Sequence, residues 1–188
     1  ASRHTQNTYT KTHTCVHLLL FACTPCARWA NHTKDEKECA CASARFLDLF
    51  AGSGAYGLEA LSRGAVGGVF VEQNPRAVAC VRKNIEAVCK SLGREPRDLG
   101  VVPMDARSVP LGGGAVPDLV FIDPPYELIS DIAPRLFAEL TEVLAPKPDA
   151  IVVFEYPGEC ELAPAGWTLV KRLGKGARQP TVGFFRRS

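Results

Sequence analysis

The chain has 188 residues, 46% of them hydrophobic and 22% charged, with a formal net charge of +2. That length suits one domain with a proper core, and the composition excludes a disordered, collagenous or coiled-coil chain. No window holds the ~18 apolar residues of a membrane span, and the near-neutral charge carries no global nucleic-acid signature.

The averages conceal a division at about residue 44. Residues 1–44 hold every histidine (His4, His13, His17, His32) and also Cys15, Cys23, Cys26, Cys39 and Cys41. Residues 45–188 carry 17 Lys+Arg and 17 Asp+Glu, so the net +2 belongs to the first segment. Cys23-x-x-Cys26 and Cys39-x-Cys41, with His17 and His32 nearby, invite a zinc reading, but the second pair is one residue too closely spaced. The Thr-rich, basic start also suits an organelle transit peptide, and a disordered segment or a gene-model artefact stays open beside both. No metal is assigned, and Cys80, Cys89 and Cys160 read as small core hydrophobes.

The patterned domain then alternates strands and helices. Arg45–Phe50 is a buried strand running into a glycine loop, Tyr56–Arg63 a helix ended by Gly64, and Gly68–Glu72 a second strand. Asn74 caps the next helix, with Pro75 at its first position. Its apolar stripe is Val78, Val81, Ile85, Val88 and Leu92, and Gly93 stops it. Leu99–Val102 and Asp118–Ile122 are further strands. Leu128–Leu144 is helical in pattern, with Pro134 predicted to kink it or start a new segment. Ala150–Phe154 is a fifth strand. Trp167–Leu173 and Thr181–Arg186 have no helix between them and read as an antiparallel hairpin. Strands apolar on both faces, spaced by helices, predict a mostly parallel α/β sheet covered on both sides.

Two places carry chemistry. Gly52-Ser53-Gly54-Ala55-Tyr56-Gly57 is a G-x-G-x-x-G between strand and helix, where glycines permit a tight turn and close approach of a ligand to a helix N-terminus. Glu72 follows Gly52 by 20 positions at a strand end, where a carboxylate can accept hydrogen bonds from ribose hydroxyls. This pattern suits a nucleoside ligand without choosing between a dinucleotide and S-adenosylmethionine. Asp48, inside the strand end, is either a capping or turn carboxylate or one that orients the ligand's amino-acid end or the glycine loop. Asp105 either accepts from an adenine amino group or caps its own loop.

The second place is Asp123-Pro124-Pro125-Tyr126, directly after a strand and therefore facing the same crevice. An exocyclic amino group on a base is a poor nucleophile because its lone pair is delocalised into the ring. Asp123 can accept one of its N–H hydrogens and the Pro124 carbonyl the other, which localises the lone pair toward an incoming methyl group. Pro124 and Pro125 stiffen the turn. Tyr126 offers a ring on which a base can stack, worth about 1–3 kcal/mol in comparable sites.

Leu47-Asp48-Leu49-Phe50-Ala51-Gly52-Ser53-Gly54, Gly57-Leu58-Glu59-Ala60-Leu61-Ser62-Arg63-Gly64-Ala65 and Asp123-Pro124-Pro125-Tyr126 together resemble the RsmD family of small-subunit (16S) ribosomal RNA guanine-N2 methyltransferases. The resemblance covers roughly residues 45–188 and includes Asp105-Ala106 and Glu155. It implies a Rossmann-like class I methyltransferase fold with a seven-stranded sheet ending in an antiparallel hairpin. It also implies S-adenosylmethionine at Asp48, Phe50, Gly52, Ser53, Gly54, Gly57, Glu72, Asp105 and Ala106, with the target guanine at Asp123, Pro124, Pro125 and Tyr126. The implied partner is ribosomal RNA or the small-subunit particle, with no membrane, for a cytoplasmic monomer, or a plastid or mitochondrial one if the head is a transit peptide.

The chain departs from the family at both ends. Residues 1–44 match neither the basic hairpin arm nor the helix that help members grip RNA. The usual late Tyr-Gly with a Thr close behind appears as Leu173-Gly174, with Thr181 farther on. A DNA adenine-N6 or cytosine-N4 methyltransferase, which shares the Asp-Pro-Pro-Tyr tetrapeptide, is one alternative. A truncated, non-catalytic relative that binds RNA or cofactor is the other. From Leu162 onward there is no acid, and Lys171, Arg172, Lys175, Arg178, Arg186 and Arg187 form either a phosphate-binding cluster or a solvated hairpin face.

Overall fold

The computed structural model describes residues 41–174, 176 and 179–188. Most of the head, with Cys15, Cys23, Cys26, Cys39 and its histidines, lies outside them, as do Lys175 and Arg178 of the basic cluster. Cys41, the one head cysteine inside the described residues, is buried in the core.

Seven strands form one sheet: β1 (Arg45–Leu49), β2 (Gly67–Val71), β3 (Leu99–Val102), β4 (Leu119–Ile122), β5 (Ile151–Pro157), β6 (Trp167–Leu173) and β7 (Pro180–Arg187). Three helices connect them: α1 (Ala55–Ser62), α2 (Pro75–Ser91) and α3 (Ile129–Val143). The strand order is β3-β2-β1-β4-β5-β7-β6. β1 to β5 are parallel, and β7 pairs antiparallel with both β5 and β6. The order reverses between β1 and β4, so the carboxyl ends of those strands flank the crevice where ligands of open α/β sheets bind.

The all-apolar strands are explained by burial on both faces. Along β4, Leu119 and Phe121 pack with Phe46, Phe70, Tyr56 and the α2 residues Val81 and Ile85. Val120 and Ile122 face the other way, toward Leu136, Phe137 and Leu140 of α3 and the hairpin's Trp167 and Phe185. Phe137 centres the second layer, its ring 5.8 Å from Phe154, 5.2 Å from Trp167 and 5.1 Å from Phe185.

The start of α2 follows the expected chemistry. The Asn74 side chain accepts from the backbone N–H of Arg76 and Ala77, and Pro75 sits at the first position. The α2 stripe differs at its end: Cys89 is buried, whereas Val88 is half-buried and Leu92 exposed. Leu92 lies past the last helical residue, where Gly93 at φ 63° closes the helix and the Arg94 N–H donates back to the Cys89 carbonyl.

Two expectations need correction. Pro134 does not start a new segment: α3 is one helix from Ile129 to Val143 with Pro134 inside it. Pro134 and Ser130, whose carbonyl loses its helical partner to the proline, are both exposed, so water can satisfy that carbonyl. β5 does not stop at Phe154 but reaches Pro157, because β7 pairs with Glu155, Tyr156 and Pro157. That extension carries Glu155 into the sheet. No helix among the described residues is long and apolar enough to cross a membrane.

Candidate active site

The glycine loop leaves β1 through an unusual backbone. Phe50 adopts φ 61° without being glycine, and Gly52 and Gly54 follow at φ 55° and 82°. Such left-handed positions cost conformational energy for residues with a Cβ and persist where surrounding contacts over-determine them. Ala51 N–H donates to the Val71 carbonyl (3.0 Å) and Gly54 N–H to the Ala51 carbonyl (2.7 Å), which curls the loop over the ends of β1 and β2. Asn84 of α2 braces it from outside, its Nδ2 donating to the Ser53 carbonyl at 2.9 Å.

The three glycines divide the work. A Cβ on Gly52 would meet little beyond the Phe50 carbonyl at 4.0 Å, so this backbone is open to a ligand. One on Gly54 would press on Phe70 and Leu58, and one on Gly57 would overlap the Phe46 and Phe70 rings. Gly57 therefore faces the sheet and lets α1 pack tightly against it, a role the third glycine of this motif serves elsewhere.

Asp48 is 1% exposed, and its Oδ2 accepts the Gly57 N–H at 3.0 Å. Of its expected roles, the structure displays the capping one: it holds the start of α1. Burial pushes its carboxyl well above the ordinary range, with Asp123 and Glu72 adding to the rise, although the Gly57 hydrogen bond opposes it. Glu72 is clamped from both sides. Its Oε2 accepts the Gly52 N–H at 2.8 Å and its Oε1 the Asn74 N–H at 2.7 Å, which ties the β2 end to the glycine loop. Each oxygen keeps further acceptor capacity toward the crevice.

Asp105 is spent on its own loop. Its carboxylate accepts from Arg107 Nε and Nη2, at 2.9 and 2.6 Å, and from the Arg107 backbone N–H. The Arg107 side chain and backbone hydrogen bonds hold its carboxyl below the usual range. Ala106 beside it is buried against the α3 layer.

The other side of the crevice is built differently. Asp123 follows Ile122, and Ile122 lies opposite Phe154, so Asp123 stands next to Glu155 on the neighbouring strand. Among the described residues Asp123 has no hydrogen-bond partner, and burial with the adjacent Glu155 pushes its carboxyl up to about 8. Glu155 is 6% exposed; it accepts from Tyr56 Oη at 2.6 Å and from Tyr126 Oη at 3.4 Å. Burial raises its carboxyl too, with both tyrosines pulling the other way. Tyr126 is 42% exposed, Pro124 is buried and Pro125 is exposed. Tyr56 stacks on Phe121 with ring centres 5.5 Å apart, which fixes its hydroxyl over Glu155.

The profile of the family described as conserved hypothetical protein 95 matches residues 30–183. The chain belongs to this family. The sequence resemblance to RsmD proteins points to the same family, and a curated relative carries that name. Ribosomal RNA small subunit methyltransferase D of Haemophilus influenzae is 31% identical over 132 residues, 69% of this chain and 66% of the relative. The chain thus spans just under two thirds of that relative and 62% of a second, from Bacillus subtilis. Among solved structures, a conserved hypothetical protein of Streptococcus pyogenes aligns with TM-score 0.66 and 27% identity, over 78% of this chain and 88% of that one. A hypothetical protein of Thermus thermophilus aligns with TM-score 0.57 and 30% identity, over 75% and 74%. Within the family, the parallel sheet with its closing antiparallel hairpin is the class I methyltransferase architecture expected from the sequence.

Thr181, which stands several positions after Gly174 in sequence, packs against it in the fold. Thr181 is buried, and its Oγ1 lies 2.8 Å from where a Cβ on Gly174 would sit. Within the basic cluster, Arg172 is already engaged: its Nη2 donates to the Gly158 carbonyl at 2.6 Å and its guanidinium lies 5.7 Å from the Tyr156 ring centre. Asn84 and Tyr56 escaped sequence reasoning. One sits on an otherwise ordinary helix and the other at a variable position of the glycine motif, and neither has a local signature.

Proposed function

We propose that the protein transfers a methyl group from S-adenosylmethionine to the exocyclic N2 amino group of a guanine in small-subunit ribosomal RNA. The observation that carries this reading is Asp123: a carboxylate set into the crevice, without a hydrogen-bond partner among the described residues, beside the exposed ring of Tyr126. An acceptor left unsatisfied next to a stacking surface suits a flat base bearing N–H donors. The name of the Haemophilus relative supports ribosomal RNA as the substrate class.

The crevice chemistry fits a cationic nucleoside cofactor. Glu72, Asp48 and Asp123 stand at or just past the ends of β2, β1 and β4, and Glu155 lies beside Asp123 within the extended β5. Among the described residues none of them forms an ion pair with lysine or arginine. Gly52 leaves room for close backbone approach. S-adenosylmethionine, when bound, supplies an electrophilic methyl group on a positively charged sulfur. Gly52 and Gly54 would line it, and Glu72 would receive its ribose hydroxyls. Asp105 would receive the adenine amino group only after giving up part of its Arg107 contact.

The chain's own residues do the rest by positioning. Ionised Asp123 accepts one N–H of the guanine amino group and the Pro124 carbonyl accepts the other, so the nitrogen lone pair turns out of the ring plane. Tyr126 holds the base by stacking. Once alkylated, the nitrogen carries a positive charge and releases a proton, for which Asp123, with its raised proton affinity, is a fitting acceptor.

The test is incorporation of tritiated methyl groups into naked ribosomal RNA, assembled small subunits and DNA, followed by nucleoside analysis. N2-methylguanosine in ribosomal RNA is expected. Methylation of DNA alone would overturn the reading, and an Asp123→Ala variant with undiminished activity would overturn the mechanism.

A further inference from the structure

The buried Glu155 has no task in the chemistry above, yet it is one of only three buried polar or charged residues among those described, with Asp48 and Thr181. Its neighbours come from every element packed around the pocket. Tyr56 reaches it from α1 at 2.6 Å, and Tyr126 from the turn after β4 at 3.4 Å. Asp123 stands beside it one step beyond the Ile122–Phe154 pair. β7 contributes the uncharged Val182 and Thr181 opposite Glu155 and Tyr156. Asp48, on β1, lies on the far side of Asp123 and is the next negative group. The two carboxyl groups therefore face each other without a cation among the described residues, and only Glu155 has hydrogen-bond donors.

That asymmetry has a chemical consequence. Two adjacent carboxyl groups in a poorly solvated place do not both ionise readily, and the one that receives hydrogen bonds keeps its charge more easily. The donors on Glu155 thus leave the proton on Asp123. A protonated Asp123 is a poor acceptor for the amino group of a base, whereas an ionised one is a good acceptor.

We propose that Glu155, anchored by Tyr56, is a positioning residue that acts through Asp123: its negative charge governs when Asp123 is free to receive the target amino group. The proposal rests on the methyltransferase reading for its consequence, but the carboxyl pair itself does not. Methyl transfer then rises with pH as Asp123 loses its proton. Glu155→Gln removes the opposing charge while keeping an oxygen for Tyr56, so the rise moves to lower pH, by about one unit or more. Tyr56→Phe withdraws a donor from Glu155, which then competes for the proton, and the rise moves the same way by less.

The experiment reads the pair directly. Carbon-13 NMR of aspartate carboxyl groups in the full chain, with Asp123 assigned through Asp123→Asn, gives its midpoint in the wild type, Glu155→Gln and Tyr56→Phe. The pH profile of kcat/KM for methylation of ribosomal RNA is measured in parallel. The expected result is a lower Asp123 midpoint in both variants, larger for Glu155→Gln, with the profile following it and S-adenosylmethionine affinity unchanged. An unmoved Asp123 midpoint in both variants would overturn the proposal. A lowered midpoint in a protein that methylates no nucleic acid would uphold the carboxyl pair and instead bring down the proposed function.

Discussion

The two halves of the crevice use carboxylates in opposite ways. On the glycine-loop side, Asp48, Glu72 and Asp105 each accept backbone N–H groups, from Gly57, from Gly52 and Asn74, and from Arg107. Those acids build the loop before any ligand arrives. On the Asp-Pro-Pro-Tyr side, Asp123 accepts nothing from the described residues and Glu155 is held only by tyrosine hydroxyls. The first half is structural and prearranged; the second keeps hydrogen-bonding capacity in reserve for a substrate. Acid residues in one crevice can thus serve scaffold and chemistry separately, according to whether the backbone has already claimed them.

The sharpest way to break this division is Asp123→Asn. Methyl transfer should fall by a hundredfold or more, on the order of losing a charged hydrogen-bond partner in a transition state, while calorimetry shows S-adenosylmethionine affinity nearly unchanged. Equal losses of both would mean the halves are not separate. Gly57→Ala strikes the scaffold half instead. Its Cβ would overlap the Phe46 and Phe70 rings, so chemical denaturation should report a loss of about 1–3 kcal/mol.

Titration offers a measurement on both halves together. Asp48, Asp123 and Glu155 bind protons more tightly when folded than when unfolded. In the interval between the ordinary carboxyl values, 3.8 for Asp and 4.5 for Glu, and about 8, the folded protein therefore holds protons that the unfolded chain has lost. Stability should fall as pH rises through that interval. Thermal melts should give a Tm several degrees higher near about pH 5 than near about pH 8, and Asp123→Asn should flatten the dependence. Asp105 has the opposite sign, because its lowered carboxyl supports folding above the ordinary range and loses that support on acidification. The smallest effect expected is from Asn84→Ala. Losing the brace on the Ser53 carbonyl should cost about 1 kcal/mol or less in stability and weaken cofactor binding by no more than severalfold, measured by calorimetry.

Much of this arrangement was legible in the chain. Local chemistry announced the glycine loop, the Asn74 cap with Pro75, the Gly93 stop and the rigid turn at Pro124-Pro125, because each depends on residues a few positions apart. The alternation of apolar strands and helices carried the sheet class, and the lack of a helix between the last two strands carried the hairpin. Pro134 did not start a new segment because water can reach the Ser130 carbonyl that it leaves without a helical partner. The end of β5 misled because β7, distant in sequence, supplies the pairing that prolongs it.

By itself, the amino-acid sequence determined the order of the elements, the covered parallel sheet and the two short motifs, of six and four residues, that meet at its carboxyl edge. It also carried the family resemblance, since those motifs are contiguous. Tertiary structure alone decided which acids are spent and which are available. Tyr56 and Glu155 are 99 positions apart yet share a 2.6 Å hydrogen bond, and Asp123 meets Glu155 only because β4 and β5 lie side by side. The physical reason is that the proton affinity of a carboxyl group is set by burial and by neighbours within a few ångströms, and the sheet chooses those neighbours from distant parts of the chain.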